Sequence, residues 1–170
     1  MTELIITEKP QAALKIATAL SDDEVIKHRK DRVVYYEINH QGKKIYVGCA
    51  VGHLFGLAEN SKYKWHDYPV FDVSWKPKYQ IEKSSQYTKS YLNVLQELAK
   101  KSDVITIATD YDIEGTVIGF TIIKYGIGKD NARRMKFSTL TKEELIDSYE
   151  HAMKHLDSGL VDAGLTRHYL

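Results

Sequence analysis

With 170 residues, 43% of them apolar, the chain is long enough to bury the core of one domain, and its composition argues against disorder. Twenty-four Lys and Arg against 23 Asp and Glu leave a formal charge of +1, which argues against a strongly basic arm gripping nucleic acid by charge alone. The single cysteine, Cys49, excludes an internal disulfide framework and a zinc site of several thiolates, and no apolar run approaches the roughly 18–20 residues that span a bilayer. A soluble, cytoplasmic α/β domain is the expectation.

Leu4, Ile5 and Ile6 form a short apolar run that ends at Thr7-Glu8-Lys9-Pro10, the pattern of a buried strand followed at once by a helix. Pro10 suits a first helical turn, where the amide it lacks has no intrahelical partner. Ala13, Leu14, Ile16, Ala17 and Leu20 then give the helix an inward stripe, and the charged residues 21–31 punctuate the chain. Val33–Ile38 and Lys44–Ala50 read as a hairpin across residues 39–42, with Gly52, His53 and Leu54 following directly. Residues 58–83, with Trp65, Tyr68, Pro69, Trp75 and Pro77, read as an irregular loop with at most one edge strand.

A helix is predicted over residues 84–101, with Tyr87, Tyr91, Leu95, Leu98 and Ala99 on one side. Residues 103–108 form a second buried strand closed by Thr109 and Asp110, and a helix follows over about 114–124. Residues 132–137 suggest a further strand. Thr141 and Glu144 have capping-box spacing and open a helix reaching about His155, and residues 157–170 begin another. Strands alternating with helices predict an α/β fold with a largely parallel sheet covered on both faces.

In such sheets, sites lie beyond the carboxyl ends of strands. The first strand delivers Glu8 and Lys9 there, and the later one delivers Asp110, Asp112 and Glu114. Alternation along an extended stretch points the last three carboxylates roughly the same way. Two unit charges about 5 Å apart repel by about 3 kcal/mol at an effective dielectric near 20, so gathering acids needs an offset. A divalent cation supplies it, and ligands that are all oxygen favour Mg²⁺ (with Mn²⁺ as substitute) over zinc or copper. Magnesium also bridges carboxylates to phosphates, which suggests phosphoryl chemistry.

Glu8-Lys9-Pro10, Gly52-His53-Leu54 and the run from Thr109 to Gly115 occur in the order typical of the Toprim domain of type IA DNA topoisomerases, which the chain resembles over nearly its whole length. The residues from Phe137 to Lys142 and from Leu160 to Arg167 are similar to the segment leading out of that domain. Glu-Lys-Pro after the first strand looks more like the topoisomerase III and archaeal branch than the bacterial topoisomerase I branch. The resemblance implies a Rossmann-like Toprim domain over residues 1–156, with a β-hairpin and loop insertion, and the start of a following domain over 157–170. The nucleophilic tyrosine and the strand gate are then expected beyond Leu170, in the remaining domains of the same enzyme.

By the same resemblance, Asp110, Asp112, Glu114 and Glu8 hold Mg²⁺ near the scissile phosphate, and Glu8 is the general acid and base at the leaving 3′ oxygen. Lys9 stabilises charge on the phosphate, with His53, Arg134 and Arg167 as weaker DNA contacts. The implied partner is a single-stranded DNA segment held by its phosphates; no ATP and no membrane are implied, and the setting is a nucleoid-associated cytoplasmic one. None of the twelve tyrosines carries the flanking pattern of the family's nucleophile. Tyr111 stands where a proline is common, Ile113 where an arginine is, and Thr116 where a glutamate is. Trp65 and Trp75 read as loop anchors before base-stacking platforms. A standalone Toprim nuclease or primase-like protein is the alternative, using the same acids; a dehalogenase-like phosphatase fits less well, because Glu8 occupies the place of its nucleophilic aspartate.

Overall fold

Leu4 and Ile6 face one side of the first strand and Ile5 the other, and all three are fully buried, so the sheet that holds them is covered on both faces. The structure, a computed structural model, describes residues 1–60 and 71–170. Strand β1 (Thr2–Thr7) lies near the centre of a six-stranded sheet ordered β2-β3-β4-β1-β7-β8. The partners are β2 (Ile26–Lys30), β3 (Val33–His40), β4 (Lys43–Cys49), β7 (Val104–Ala108) and β8 (Arg133–Arg134). β1 runs parallel to β4 and β7, β7 runs parallel to β8, and β2-β3-β4 is an antiparallel meander.

Helices α1 (Pro10–Leu20) and α5 (Lys142–Glu150) cover one face, where Ala13, Ile16, Ala17, Leu145 and Tyr149 meet Ile5, Ile45 and Val47. Helices α3 (Thr88–Lys100) and α4 (Ile113–Thr121) cover the other, where Leu95, Leu98, Val117 and Ile118 meet Leu4, Ile6, Ile105 and Ile107. A last helix, α6 (Ser158–Tyr169), packs against α4. Gly164 permits this contact, since a Cβ there would lie 2.2 Å from Val117 Cγ2. No helix among the described residues is long and apolar enough to cross a membrane.

The α/β layering and the hairpin over residues 33–50 follow the sequence expectation. Gln41 and Gly42 both take positive φ, as a two-residue hairpin turn requires. Several elements differ from it. The charged run before Val33 contains strand β2, turned back on β3 by Asp31 and Arg32, which also take positive φ without a glycine to signal it. The region expected as an irregular loop contains a two-stranded sheet, β5 (Phe55–Glu59) paired antiparallel with β6 (Val73–Pro77), followed by the short helix α2 (Lys78–Ile81). Trp75 is buried on β6, stacked 6.3 Å from the Tyr125 ring, and offers no face to a base. Trp65, Tyr68 and Pro69 lie outside the described residues.

Tyr87, expected on the inward stripe of α3, is exposed. The helix expected over 114–124 is α4, running on into a π-helical turn over Ile122–Ile127 that ends at Gly128. The strand expected over 132–137 shortens to two residues, because only Thr106 and Ile107 of β7 pair with it. Thr141 stands at the N-cap of α5 without a side-chain capping bond, its hydroxyl lying 3.3 Å from that of Thr139. Glu144 instead accepts from the Ser138 amide (2.5 Å), the Thr139 amide (3.2 Å) and the Thr139 hydroxyl, fastening the loop ahead of the helix. A polar cluster unread in the sequence sits on β1: fully buried Glu3 accepts from Tyr149 Oη (2.6 Å), Arg133 Nη1 (3.2 Å) and the Thr106 hydroxyl.

Candidate active site

Strand register decides which side chains meet. Thr7 of β1 stands opposite Ala108 of β7 on one side and Cys49 of β4 on the other, and all three strands run the same way. Their carboxyl ends therefore open onto one edge, and the next residues — Glu8 and Lys9, Thr109 and Asp110, and the turn that carries His53 — emerge side by side. Thr7 Oγ1 donates to Gly48 O (3.1 Å) and Lys9 O (3.2 Å), holding the β1 exit against β4.

Lys9 occupies the N-cap position of α1, and its side chain turns to Asp110, with Nζ 2.9 Å from Oδ2. That hydrogen bond, with the charges of Asp110 and Glu8, pushes the Lys9 ammonium above its ordinary range. The two side chains are 62% and 45% exposed, so the pair is worth less than about 1 kcal/mol to stability and Lys9 stays free to face a ligand. Glu8 is half-buried. Burial pushes its carboxyl above the usual range and the charges of Asp110 and Asp112 add to this, against Lys9 and a backbone hydrogen bond from Asp110.

Asp112 ends the extended segment and caps α4, its Oδ1 accepting from the Gly115 amide at 2.6 Å. Thr116 Oγ1 donates to Asp112 O (2.7 Å) and Thr109 Oγ1 to Gly115 O (2.6 Å), closing the loop on itself. Gly115 is required by this closure, since a Cβ there would lie 2.0 Å from Asp110 O. Helix formation at residue 113 removes the simple alternation expected of the three acids. Glu114 lies in the first turn of α4, where its Oε2 is 3.0 Å from His53 Nε2 and 3.3 Å from His168 Nε2, and its Oε1 is 3.6 Å from Arg167 Nη1. Partial burial raises the Glu114 carboxyl, but His168 and His53 outweigh it and hold the group below its ordinary value. Burial lowers the His53 imidazole in spite of Glu114. The two directions agree if neutral His53 donates its Nε2 hydrogen to the carboxylate.

Arg134 corrects a sequence expectation. Expected as a weak DNA contact, it is 1% exposed and donates from Nη1 to Thr109 O and from Nη2 to Asp110 O, both at 2.8 Å. Burial pulls its guanidinium down to about 10, still charged at neutral pH, so it is a buried cation under the acidic loop. Arg167 is 70% exposed and His53 22%, both grouped on Glu114. Tyr111 lies with its ring 5.2 Å from the Arg134 guanidinium and 4.8 Å from Lys136 Nζ. An open cleft of about 430 Å³ runs past Lys9, Asp110, Tyr111, Asp112 and Lys136.

Sequence reasoning missed Lys136 and His168. The first sits in a stretch expected to be a strand interior, and the second reaches the site only through the packing of α6 on α4. Asp110 and Asp112 in the cleft, and Glu8 at the neighbouring strand end, fit a hard divalent cation by donor chemistry, but among the described residues the three do not bring their ligand atoms within 4.8 Å of one another. Glu8, Asp110 and Asp112 offer only oxygen, and Asp110 and Asp112 each use one oxygen on a protein partner and keep the other.

A family profile described as the Toprim domain matches residues 3–140, from β1 to the loop before α5. DNA topoisomerase 1 of Methanocaldococcus jannaschii is 47% identical over 170 residues, covering 100% of this chain and 22% of the relative. DNA topoisomerase 1 of Pyrococcus horikoshii is 46% identical over 169 residues, covering 98% and 24%. The chain thus spans about a quarter of the length of these curated relatives. Full-length topoisomerase I from Thermotoga maritima shares the fold with a TM-score of 0.64 at 23% identity, over 98% of this chain and 23% of that one. With the profile spanning the sheet and both strand ends that carry the acids, the chain belongs to the Toprim domain family and is similar, along its whole length, to a segment of archaeal DNA topoisomerase 1.

Proposed function

We propose that this Toprim domain supplies the metal site and the acid–base residues with which a type IA topoisomerase cuts and reseals one DNA strand. The attacking tyrosine, which would form a 5′-phosphotyrosine link without ATP, and the strand gate belong to the remaining domains of the same enzyme. The observation that carries the reading is that Glu8 and Lys9 emerge at the same sheet edge as Asp110 and Asp112, with Lys9 Nζ 2.9 Å from Asp110 Oδ2. Residues 1–156 form the Toprim domain in this reading, and 157–170 open the following one.

Glu8, Asp110 and Asp112 would hold Mg²⁺ or Mn²⁺, which would neutralise the acids so that a phosphodiester can approach them, while Glu114, turned to His53, His168 and Arg167, stands apart from this set. Glu8, half-buried and beside two aspartates, keeps a proton to higher pH than an ordinary glutamate and so can give one to a leaving 3′ oxygen. Lys9 Nζ, exposed and held by one hydrogen bond, faces charge developing on the phosphoryl oxygens. Arg134 orients rather than contacts, fixing the carbonyls of Thr109 and Asp110 and with them the aspartate loop. Arg167, with His53 behind it, offers a DNA phosphate the exposed cation at the far side of the site. The enzyme would work in the cytoplasm on the nucleoid. None of the tyrosines of this chain is assigned the nucleophile's role, so the chain alone should bind metal and not relax supercoiled plasmid.

The test is titration with Mg²⁺ of the wild type against Asp110→Asn/Asp112→Asn, with circular dichroism reporting the fold. Loss of Mg²⁺ binding in a folded double variant supports the reading. Undiminished binding overturns it.

A further inference from the structure

Three side chains from distant parts of the chain bring their ligand atoms together behind the aspartate loop. His53 follows the turn after β4, where Val51 (φ 51°) and Gly52 (φ 95°) both take left-handed backbone. A β-branched residue there is strained, so the surrounding packing holds this turn in place. Glu114 comes from the first turn of α4 and His168 from the last turn of α6. Among the described residues, they are the one group of three or more His, Cys, Asp or Glu whose donor atoms all lie within 4.8 Å of one another.

The geometry suits a small tetrahedral ion. Zinc bonds of about 2.0–2.1 Å set neighbouring ligand atoms about 3.3 Å apart. Glu114 Oε2 already lies 3.0 Å from His53 Nε2 and 3.3 Å from His168 Nε2. Arg167 takes the other carboxylate oxygen at 3.6 Å, which orients Oε2 toward the imidazoles. The rings of His53 and His168 meet edge to face at 5.5 Å, and the Trp75 ring stands 5.5 Å from His168, forming an apolar wall on that side. Two imidazoles and one carboxylate are a poor set for Mg²⁺ and a good one for zinc and its neighbours. The only thiol, Cys49, is buried and does not compete.

We propose that His53, Glu114 and His168 form a second cation site, selective for Zn²⁺ or a similar imidazole-preferring transition-metal ion over Mg²⁺, which clamps the end of α6 to the head of α4 and to the turn after β4. Three protein ligands leave a fourth position for water. Each imidazole presents its Nε2 lone pair to the ion, so the hydrogens now facing Glu114 move to Nδ1. The inference does not rest on the Mg²⁺ reading.

Calorimetric titration of the 170-residue chain with ZnCl₂, together with the visible spectrum of the Co²⁺ form, tests it. One equivalent of Zn²⁺ should bind in the presence of millimolar Mg²⁺ and raise Tm, and Co²⁺ should show the absorption bands of a nitrogen and oxygen site. His168→Ala should weaken Zn²⁺ binding at least tenfold and abolish the rise in Tm. His151→Ala, at a surface histidine 3.1 Å from Asp147, should bind as the wild type does. If His168→Ala loses helical signal, His168→Gln replaces it and must show the same loss. Unchanged zinc affinity in the folded His168 variant, loss in the His151 control, or no zinc binding by the wild type overturns the proposal.

Discussion

The guanidinium of Arg134 is the largest fully buried side chain in the described structure, and its fork is spent on two backbone carbonyls of one loop. A buried charge that lies below an acidic cluster gains Coulomb energy from it, as the upward pull of Tyr111, Asp112, Asp110 and Glu8 on this group records. Arg134→Ala should cost about 3–5 kcal/mol, from two orphaned carbonyls and the loss of the buried cation, measured by urea denaturation. Arg134→Lys should recover part of this only, because a point charge cannot bridge both carbonyls. An Ala variant as stable as the wild type would show that the loop does not depend on this side chain. Cys49 gives the pH-dependent counterpart. Burial pushes its thiol up to about 11, so the folded state favours the neutral thiol. Its contribution is complete below the unfolded value near 9.0 and fades as pH rises through about 11. Stability should therefore fall by an extra 2–3 kcal/mol or so between those limits, and Cys49→Ala should show a shallower decline in denaturation curves from pH 8 to 11.

Between elements, α6 matters most to the site, because it brings His168 and Arg167 to Glu114. Its approach to α4 depends on Gly164, where an added Cβ would lie 2.2 Å from Val117 Cγ2 and 3.2 Å from Ile113 Cγ2. Alanine is the better helix former by about 1 kcal/mol, so propensity and packing oppose each other there. Packing should win: Gly164→Ala is expected to lower stability by about 1–3 kcal/mol and to separate His168 from Glu114, seen as a change in the His168 imidazole resonances. A more stable variant with unchanged resonances would refute the docking argument. The element scale also shows what was legible. Periodic α1 and the apolar runs of β1 and β7 match the sequence expectation closely, since a hydrophobic pattern is local, whereas α3 begins four residues later than its pattern suggests. Strand β2 was not legible, because its residues are mostly charged and exposed and its turn uses Asp31 and Arg32. The β5 and β6 pair does not show in the sequence because residues 60–72 separate the two strands, too many for a tight-turn signal to mark the hairpin.

At the scale of the molecule, β1 is the axis, paired on both edges and covered on both faces. Opening its amides requires unpairing β4 or β7, which is close to global unfolding. Amides of Ile5 and Ile6 should therefore exchange at the rate of global unfolding, while those of β5 and β6, in their separate two-stranded sheet, exchange earlier. Hydrogen exchange read by mass spectrometry or NMR checks this, and fast exchange in β1 would contradict it. Glu8 and Lys9 follow this rigid axis directly and the aspartates follow β7 paired to it, as a preorganised site requires.

Residue type and local pattern alone determined that two buried strands end in acids, that a lysine follows the first, and that the donors are hard oxygens, because each is a property of a few consecutive residues. Which of these side chains touch was decided by the tertiary structure. The register of Thr7 against Ala108 and Cys49 puts Lys9 on Asp110, the short β8 buries Arg134 beneath the loop, and the docking of α6 turns Glu114 toward two imidazoles. Each of those contacts joins segments tens of residues apart, and the energy that selects among them comes from packing two faces of one sheet at once.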